Sequence, residues 1–169
     1  MPVWRPTRCF SSTTKPSLYG QMQHRAVIGL GSNQGDREYY LRIAKFLIEK
    51  ELGSILLRSS VIETPSWGFD SDPFLNQVVV METSLSPLEL LDGLQSIERR
   101  LGRTRKSFLK DGKPVYHART IDLDILDYDR MHYHDERLTL PHPHIAERDF
   151  VLASLNELNI NLTDHEDTL

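Results

Sequence analysis

Two stretches of helical spacing, residues 36–52 and 86–101, are each bracketed by short apolar runs, and that alternation admits few folds. Residues 26–31 (AVIGLG) suit a buried strand. Over residues 36–52, Tyr40, Ile43, Phe46 and Leu47 recur on one side, which predicts a helix, and Gly53 is placed to end it. Residues 55–63 alternate well enough for a second strand. Residues 64–73 (TPSWGFDSDP) are dense in Pro, Gly and Asp and read as a loop, and the Val-rich residues 74–83 read as a third strand. At 86–89, Ser86 can cap, Pro87 suits the first helical position and Glu89 completes a capping box. Leu88, Leu91, Leu94, Ile97 and Leu101 then repeat at helical spacing until Gly102. A fourth strand over 120–128 and a short helix over 147–158 follow. The order β-α-β-β-α-β predicts an α+β fold, a ferredoxin-like core with an antiparallel sheet and extra C-terminal elements.

At 169 residues the chain is expected to hold one domain, here residues 25–160. Residues 1–24 carry Arg5, Arg8 and Lys15 with no acid, which leaves the remainder at −7 against −4 for the whole chain. The segment reads either as a start placed ahead of a true initiator at Met22, the favoured reading, or as a transit peptide. Residues 161–169 read as a polar tail. An acidic body argues against a nucleic-acid or membrane-surface role, both of which need an extended positive face. The single cysteine, Cys9, excludes a disulfide framework and fits the cytoplasm, with a mitochondrial location following if the N-terminal segment is a genuine address. No apolar run reaches membrane-spanning length.

The chemistry is concentrated between residues 99 and 124. Eight Lys or Arg residues there face one acid, Asp111, and lead into Asp122 and Asp124. In a strand, side chains at i and i+2 share a face, so both carboxylates converge while Ile121, Leu123 and Ile125 enter the core. Two like charges that close favour a cation between them. Magnesium takes one or two carboxylates and completes its shell with water and phosphate oxygens. A solvent-facing strand edge is the plain alternative, and the basic segment tips the balance toward a polyphosphate site. Arg99, Arg100 and Arg103 also suit a helix C-terminus. Arg105 and Arg119 are the stronger candidates for phosphate, since arginine offers a planar fork to its oxygens.

Other motifs are weighed the same way. GLGSNQGD at 29–36 lacks the spacing of a dinucleotide loop and has no Lys-Ser/Thr for a P-loop, so a tight turn with Asp36 or Asn33 as helix cap accounts for it. Histidines at 132, 134, 142 and 144 lack the partners of a zinc site; a phosphate-donor role for His142 beside Arg148 is preferred, with the others on the surface. Trp67 and Phe69 lie in a loop, and with Phe74 and Phe150 they could sandwich a flat heterocycle, although Phe74 and Phe150 also suit core packing.

These residues closely resemble the 6-hydroxymethyl-7,8-dihydropterin pyrophosphokinase family of folate biosynthesis. The likeness is carried by GLGSN at 29–33, T-P-x-x-G at 64–68, F-L-N at 74–76, Q-x-I-E at 95–98 and G-R-x-R at 102–105. It continues through R-T-I-D-L-D-I at 119–125, R-L-T-L-P-H-P-H at 137–144 and E-R-x-F-V-L at 147–152. The resemblance implies transfer of pyrophosphate from ATP to the pterin hydroxymethyl oxygen, with AMP leaving. It implies that Asp122 and Asp124 hold two Mg2+ and that Arg105 and Arg119 neutralise phosphate charge. Gln95, Glu98, Tyr116, Ile125, His142 and Arg148 would serve the nucleotide. Thr64, Pro65, Trp67, Phe74, Asn76 and Phe150 would hold the pterin. The loop over 106–118 is longer than in the best-known members, and Tyr116 is the nearest aromatic where some place a tryptophan. A monomer is expected. Two rivals are weighed: a ferredoxin-like RNA-binding module, disfavoured by carboxylates on its strands, and a metal-dependent phosphohydrolase, which would split ATP without any pterin.

Overall fold

The computed structural model describes residues 22–66, 72–103, 108–110, 113–115 and 119–162. Its centre is β1 (His24–Ser32), which pairs antiparallel on one side with β4 (Phe74–Thr83) and on the other with β7 (Asp122–Tyr128). Beyond β4 lie β2 (Ser54–Arg58) and β3 (Ile62–Thr64), so the sheet runs β2-β4-β1-β7 with β3 also on β4, every pairing antiparallel. The helices are α1 (Arg37–Glu51), α2 (Pro87–Arg100) and α3 (Asp149–Glu157). Two small hairpins, β5 (Phe108–Lys110) with β6 (Lys113–Val115) and β8 (Tyr133–His134) with β9 (Thr139–Leu140), complete the described elements.

Alternation along β1 sorts the core into two layers. Ala26, Ile28 and Leu30 face α1 and α2, joined by Val79, Met81, Leu123 and Ile125 from the neighbouring strands. Val27 with Val78, Val80 and Leu126 faces the opposite side, where Ile145, Val151 and Leu155 of the C-terminal segment cover it. The result is a mixed structure of helices on both faces of an antiparallel sheet.

Several expectations need adjustment. The strand expected over 55–63 is two strands. Register shifts past Leu56, and the chain breaks at Ser59 and Ser60, whose polar groups bond away from a regular ladder. The Ser59 carbonyl accepts from Gln77 Nε2 (2.6 Å), and the Ser60 N–H donates to Glu157 (2.9 Å). On α1 the buried stripe is Leu41, Ala44 and Ile48, while Phe46 is 56% exposed. The stripe through Tyr40 and Leu47 only flanks the core, because the sheet lies one residue round the helix from it. The last helix starts at Asp149, two residues later than expected, and β7 starts at Asp122. The hairpins β5–β6 and β8–β9 were not foreseen. Gly53 does end α1, at φ +152°, and a Cβ there would meet the Glu82 carbonyl at 2.1 Å, so only glycine fits. Residues 1–21 of the N-terminal segment and 163–169 of the tail lie outside the described residues.

Candidate active site

β7 is an edge strand, and its exposed backbone has to be satisfied by something other than a neighbouring strand. The Leu123 N–H donates to Glu98 Oε1 at 2.7 Å, and the Leu126 carbonyl accepts from the His142 N–H at 2.8 Å. The last turns of α2 and the segment after β9 are thereby fixed beside the carboxylates of β7. Ile121, Leu123 and Ile125 are buried, as the i, i+2 argument requires, and Asp122 and Asp124 face away from that core with side chains 17% and 32% exposed.

Asp122 receives two arginines. Arg103 Nη1 donates to its Oδ1 at 2.7 Å and also to Glu98 Oε1, while Arg119 Nη1 bonds its Oδ2. Arg148 Nη1 donates to Asp124 Oδ2 at 3.2 Å. Burial, reinforced by the Asp122 charge, raises the Asp124 carboxyl to about 6, and burial with the same neighbour raises Glu98 to about 7. Burial and the Arg148 charge lower His142 to about 4, so its ring is neutral at physiological pH. The His144 N–H donates to His142 Nδ1 at 3.2 Å, which makes Nδ1 the acceptor and leaves Nε2–H as a donor.

Two hollows meet at Asp124. The larger, about 730 Å³, is lined by Gln95, Glu98, Arg103, Asp124, Ile125 and His142 among others. The smaller, about 380 Å³, has Gly31, Thr64, Pro65, Phe74, Asn76 and Phe150 around Arg119, Asp122, Asp124 and Arg148. Asp124 lines both. In the smaller hollow Asn76 Nδ2 donates to Thr64 Oγ1 at 2.8 Å, which fixes the amide and turns Oδ1 to the acceptor side. Gly31 pairs with Asp122 in register, and a Cβ on it would stand 3.1 Å from Asn76 Oδ1 and 3.6 Å from the Phe74 ring. GLGSN thus supplies strand and floor; the turn itself covers 33–36, with Asp36 capping α1 through Tyr39 N–H at 2.9 Å.

The expected residues divide between the two hollows, with Arg119, Asp122 and Arg148 on the smaller side. Gln95, Glu98, Ile125 and His142 line the larger hollow, and Thr64, Pro65, Phe74, Asn76 and Phe150 line the smaller. Arg148 lines the smaller one, at the junction. Arg105, Tyr116 and Trp67 lie outside the described residues. Sequence reasoning missed Arg103, which bridges Glu98 and Asp122; its Nε is buried without a hydrogen-bond partner among the described residues. The signal was available in its place one residue past the helix-ending Gly102, with a free backbone angle there (φ +94°) that lets the chain double back toward Glu98. Among the described residues no three His, Cys, Asp or Glu side chains converge as a metal-holding group.

Residues 27–160 match the family model described as 7,8-dihydro-6-hydroxymethylpterin-pyrophosphokinase (HPPK). The chain is 45% identical over 139 residues to the 2-amino-4-hydroxy-6-hydroxymethyldihydropteridine pyrophosphokinase of Bacillus subtilis, a match covering 81% of this chain and 79% of that one. It is 40% identical to the mitochondrial folate synthesis bifunctional protein of Pisum sativum, covering 88% of this chain and 28% of that longer one. Among solved structures, wild-type Plasmodium falciparum HPPK-DHPS with pteroate has a similar fold, with TM-score 0.64 and 17% identity over 82% of this chain and 41% of that chain.

Proposed function

The chain belongs to the 7,8-dihydro-6-hydroxymethylpterin-pyrophosphokinase family, and from that premise we propose how its own residues divide the reaction. The enzyme transfers pyrophosphate from ATP to the hydroxymethyl group of 6-hydroxymethyl-7,8-dihydropterin, giving AMP and the pterin diphosphate, in folate biosynthesis. One observation carries the division of labour: Asp124 borders both hollows, so a donor in one and an acceptor in the other meet over the carboxylates. We assign ATP to the larger hollow and the pterin to the smaller.

On the acceptor side, Phe74 and Phe150 offer aromatic faces to a flat ring, and Asn76 Oδ1 is the acceptor for a ring N–H. Gly31 leaves room for the ring edge. On the donor side, the neutral His142 gives Nε2–H to a phosphate oxygen beside Arg103, while Arg119 and Arg148, which line the smaller hollow, meet the phosphates across the Asp122 and Asp124 wall. Without substrate these guanidiniums neutralise Asp122 and Asp124; with ATP bound they turn to phosphate. Arg105, from the basic loop, is assigned the same task. Gln95 and Glu98 shape the cleft wall, and Ile125 belongs to it by position.

The donor set fits magnesium. Asp122 and Asp124 offer only carboxylate oxygens, and their mutual repulsion contributes to the raised Asp124. A magnesium completed by phosphate oxygens and water needs only one or two carboxylates. Asp122 and Asp124 are assigned to two Mg2+, whose chemistry would be to neutralise phosphate charge and acidify the attacking hydroxyl. No nucleophilic side chain is required, since positioning and charge stabilisation dominate this class of transfer. The strand order β2-β4-β1-β7, all antiparallel, supports reading the core as ferredoxin-like. We read the protein as a monomer, cytoplasmic on its single cysteine or mitochondrial if the N-terminal segment is a genuine address; no helix among the described residues is long and apolar enough to cross a membrane.

The test incubates the protein with ATP, magnesium and 6-hydroxymethyl-7,8-dihydropterin. AMP is expected only when pterin is present, and Asp122→Ala is expected to lower kcat by about 10³-fold or more, as for loss of a charge-stabilising group. ADP as product, or phosphate released without pterin, would instead favour the phosphohydrolase reading.

A further inference from the structure

The turn that follows β1 is not needed to cap α1 alone, because Asp36 does that. Its first residue, Asn33, is 1% exposed, and its side chain reaches out of the turn rather than back onto it. Oδ1 accepts from the Arg119 backbone N–H at 2.7 Å, and Nδ2 donates to the Asp72 carbonyl at 3.2 Å. The Asn33 backbone N–H also donates to the Arg119 carbonyl at 3.1 Å, and Ser32 Oγ donates to the Thr120 carbonyl at 2.6 Å. Residues 32 and 33 therefore extend the β1–β7 contact beyond the last paired residue, Asp122, and set the backbone from which Arg119 springs.

The other end of the turn holds the pterin side. Arg37 Nη1 donates to the Pro73 carbonyl at 2.7 Å, and its Nη2 pairs with Glu63 at 2.9 Å. Pro73 immediately precedes Phe74, and Glu63 immediately precedes Thr64, both of which line the smaller hollow. Only a side chain with one acceptor and one donor in a fixed plane can hold the Arg119 N–H and the Asp72 carbonyl together. Asparagine meets that requirement; aspartate would set an oxygen against the carbonyl.

We propose that Asn33 is a positioning residue that ties the Arg119 backbone to the Asp72 end of the pterin loop, with Arg37 clamping only the pterin side. This rests on the pyrophosphokinase reading. Asn33 touches no reacting atom; it acts through Arg119 on the rate and through Asp72 on the pterin. Arg37 acts on the pterin alone.

Asn33→Ala and Arg37→Ala are compared with wild type by steady-state AMP formation and by calorimetric titration with α,β-methylene-ATP and magnesium, which counts folded, nucleotide-competent sites. Per competent site, Asn33→Ala is expected to lower kcat by about tenfold or more, the scale of a small misplacement of a catalytic group. Its pterin KM is expected to rise as well, through the bond to the Asp72 carbonyl. Arg37→Ala is expected to keep kcat within about twofold and raise pterin KM by about fivefold, the scale of its hydrogen bond to Pro73 with little added by the exposed Glu63 pair. Asn33→Ala with normal kcat per competent site overturns the proposal, as does Arg37→Ala that lowers kcat and leaves pterin KM unchanged. A wild type that forms no pterin-dependent AMP would refute the function and not this tie.

Discussion

Arg103 shows how far a single residue's role can depend on what folds back onto it. In the sequence it is one of several cations at a helix end, where a dipole argument suffices. In the structure it bridges the buried Glu98 and Asp122. Asp122 and Asp124 were legible because strand alternation fixes their side, while Arg103 and Asn33 depend on long-range bonds that no local pattern encodes. Glu98 gives the test at this scale. Its folded value is raised to about 7 against 4.5 for the free group, so the folded protein binds its proton more tightly than the unfolded chain does. That stability is present in full below about pH 4.5 and is lost as pH rises through 7. His142, lowered to about 4, has the opposite sign: it costs stability as pH falls through 6.5. Comparing wild type with Glu98→Gln isolates the first effect. In urea melts with EDTA, the variant is expected to gain on wild type by on the order of 2 kcal/mol between pH 5 and pH 8. An unchanged difference across that range would show that Glu98 is ionised throughout.

At the scale of elements, capping and periodicity were the dependable signals. The box at Ser86 is complete: Glu89 N–H donates to Ser86 Oγ at 3.4 Å, and Ser86 N–H donates to Glu89 at 2.8 Å. Ser86→Ala is expected to cost about 1 kcal/mol in denaturant melts while leaving kcat unchanged, because the cap lies at the far end of α2 from Glu98 and Arg103. A fall in kcat would mean that fraying travels the length of the helix. The expected single strand over 55–63 failed for a different reason. Alternation cannot reveal an inserted residue, and here Leu56 and the Ser59–Ser60 break each shift the register on β4. The α1 stripe was misplaced by one residue, since Phe46 and Tyr40 are apolar enough to mark a face that the sheet does not cover.

For the molecule as a whole, the proposed division of substrates rests on two hollows that share Asp124. The mixture of helices and antiparallel strands was legible from the alternation of elements, but the wall between the hollows was not, because it is made where β7, α2 and the segment after β9 converge from distant parts of the chain. A stability measurement tests the arrangement without turnover. With magnesium, α,β-methylene-ATP at 100 times its Kd is expected to stabilise the fold by about 2.7 kcal/mol. Replacing magnesium with EDTA is expected to remove most of that gain, since unscreened phosphates would meet Asp122 and Asp124. Equal stabilisation in EDTA would separate nucleotide binding from the carboxylates.

The capped edge of β7 has one more consequence. An open edge strand is a template on which other chains can polymerise, and β7 is rich in the apolar residues that make such growth stick. Glu98 and the His142 backbone occupy that edge, so the groups that line the larger hollow also cover this side of the sheet against such growth. The opposite edge is protected by other means: β2 is short, kinked at Leu56 and ends in Arg58. A variant that releases the Glu98 carboxylate from Leu123 is expected to open a growth front as well as altering the wall of the larger hollow.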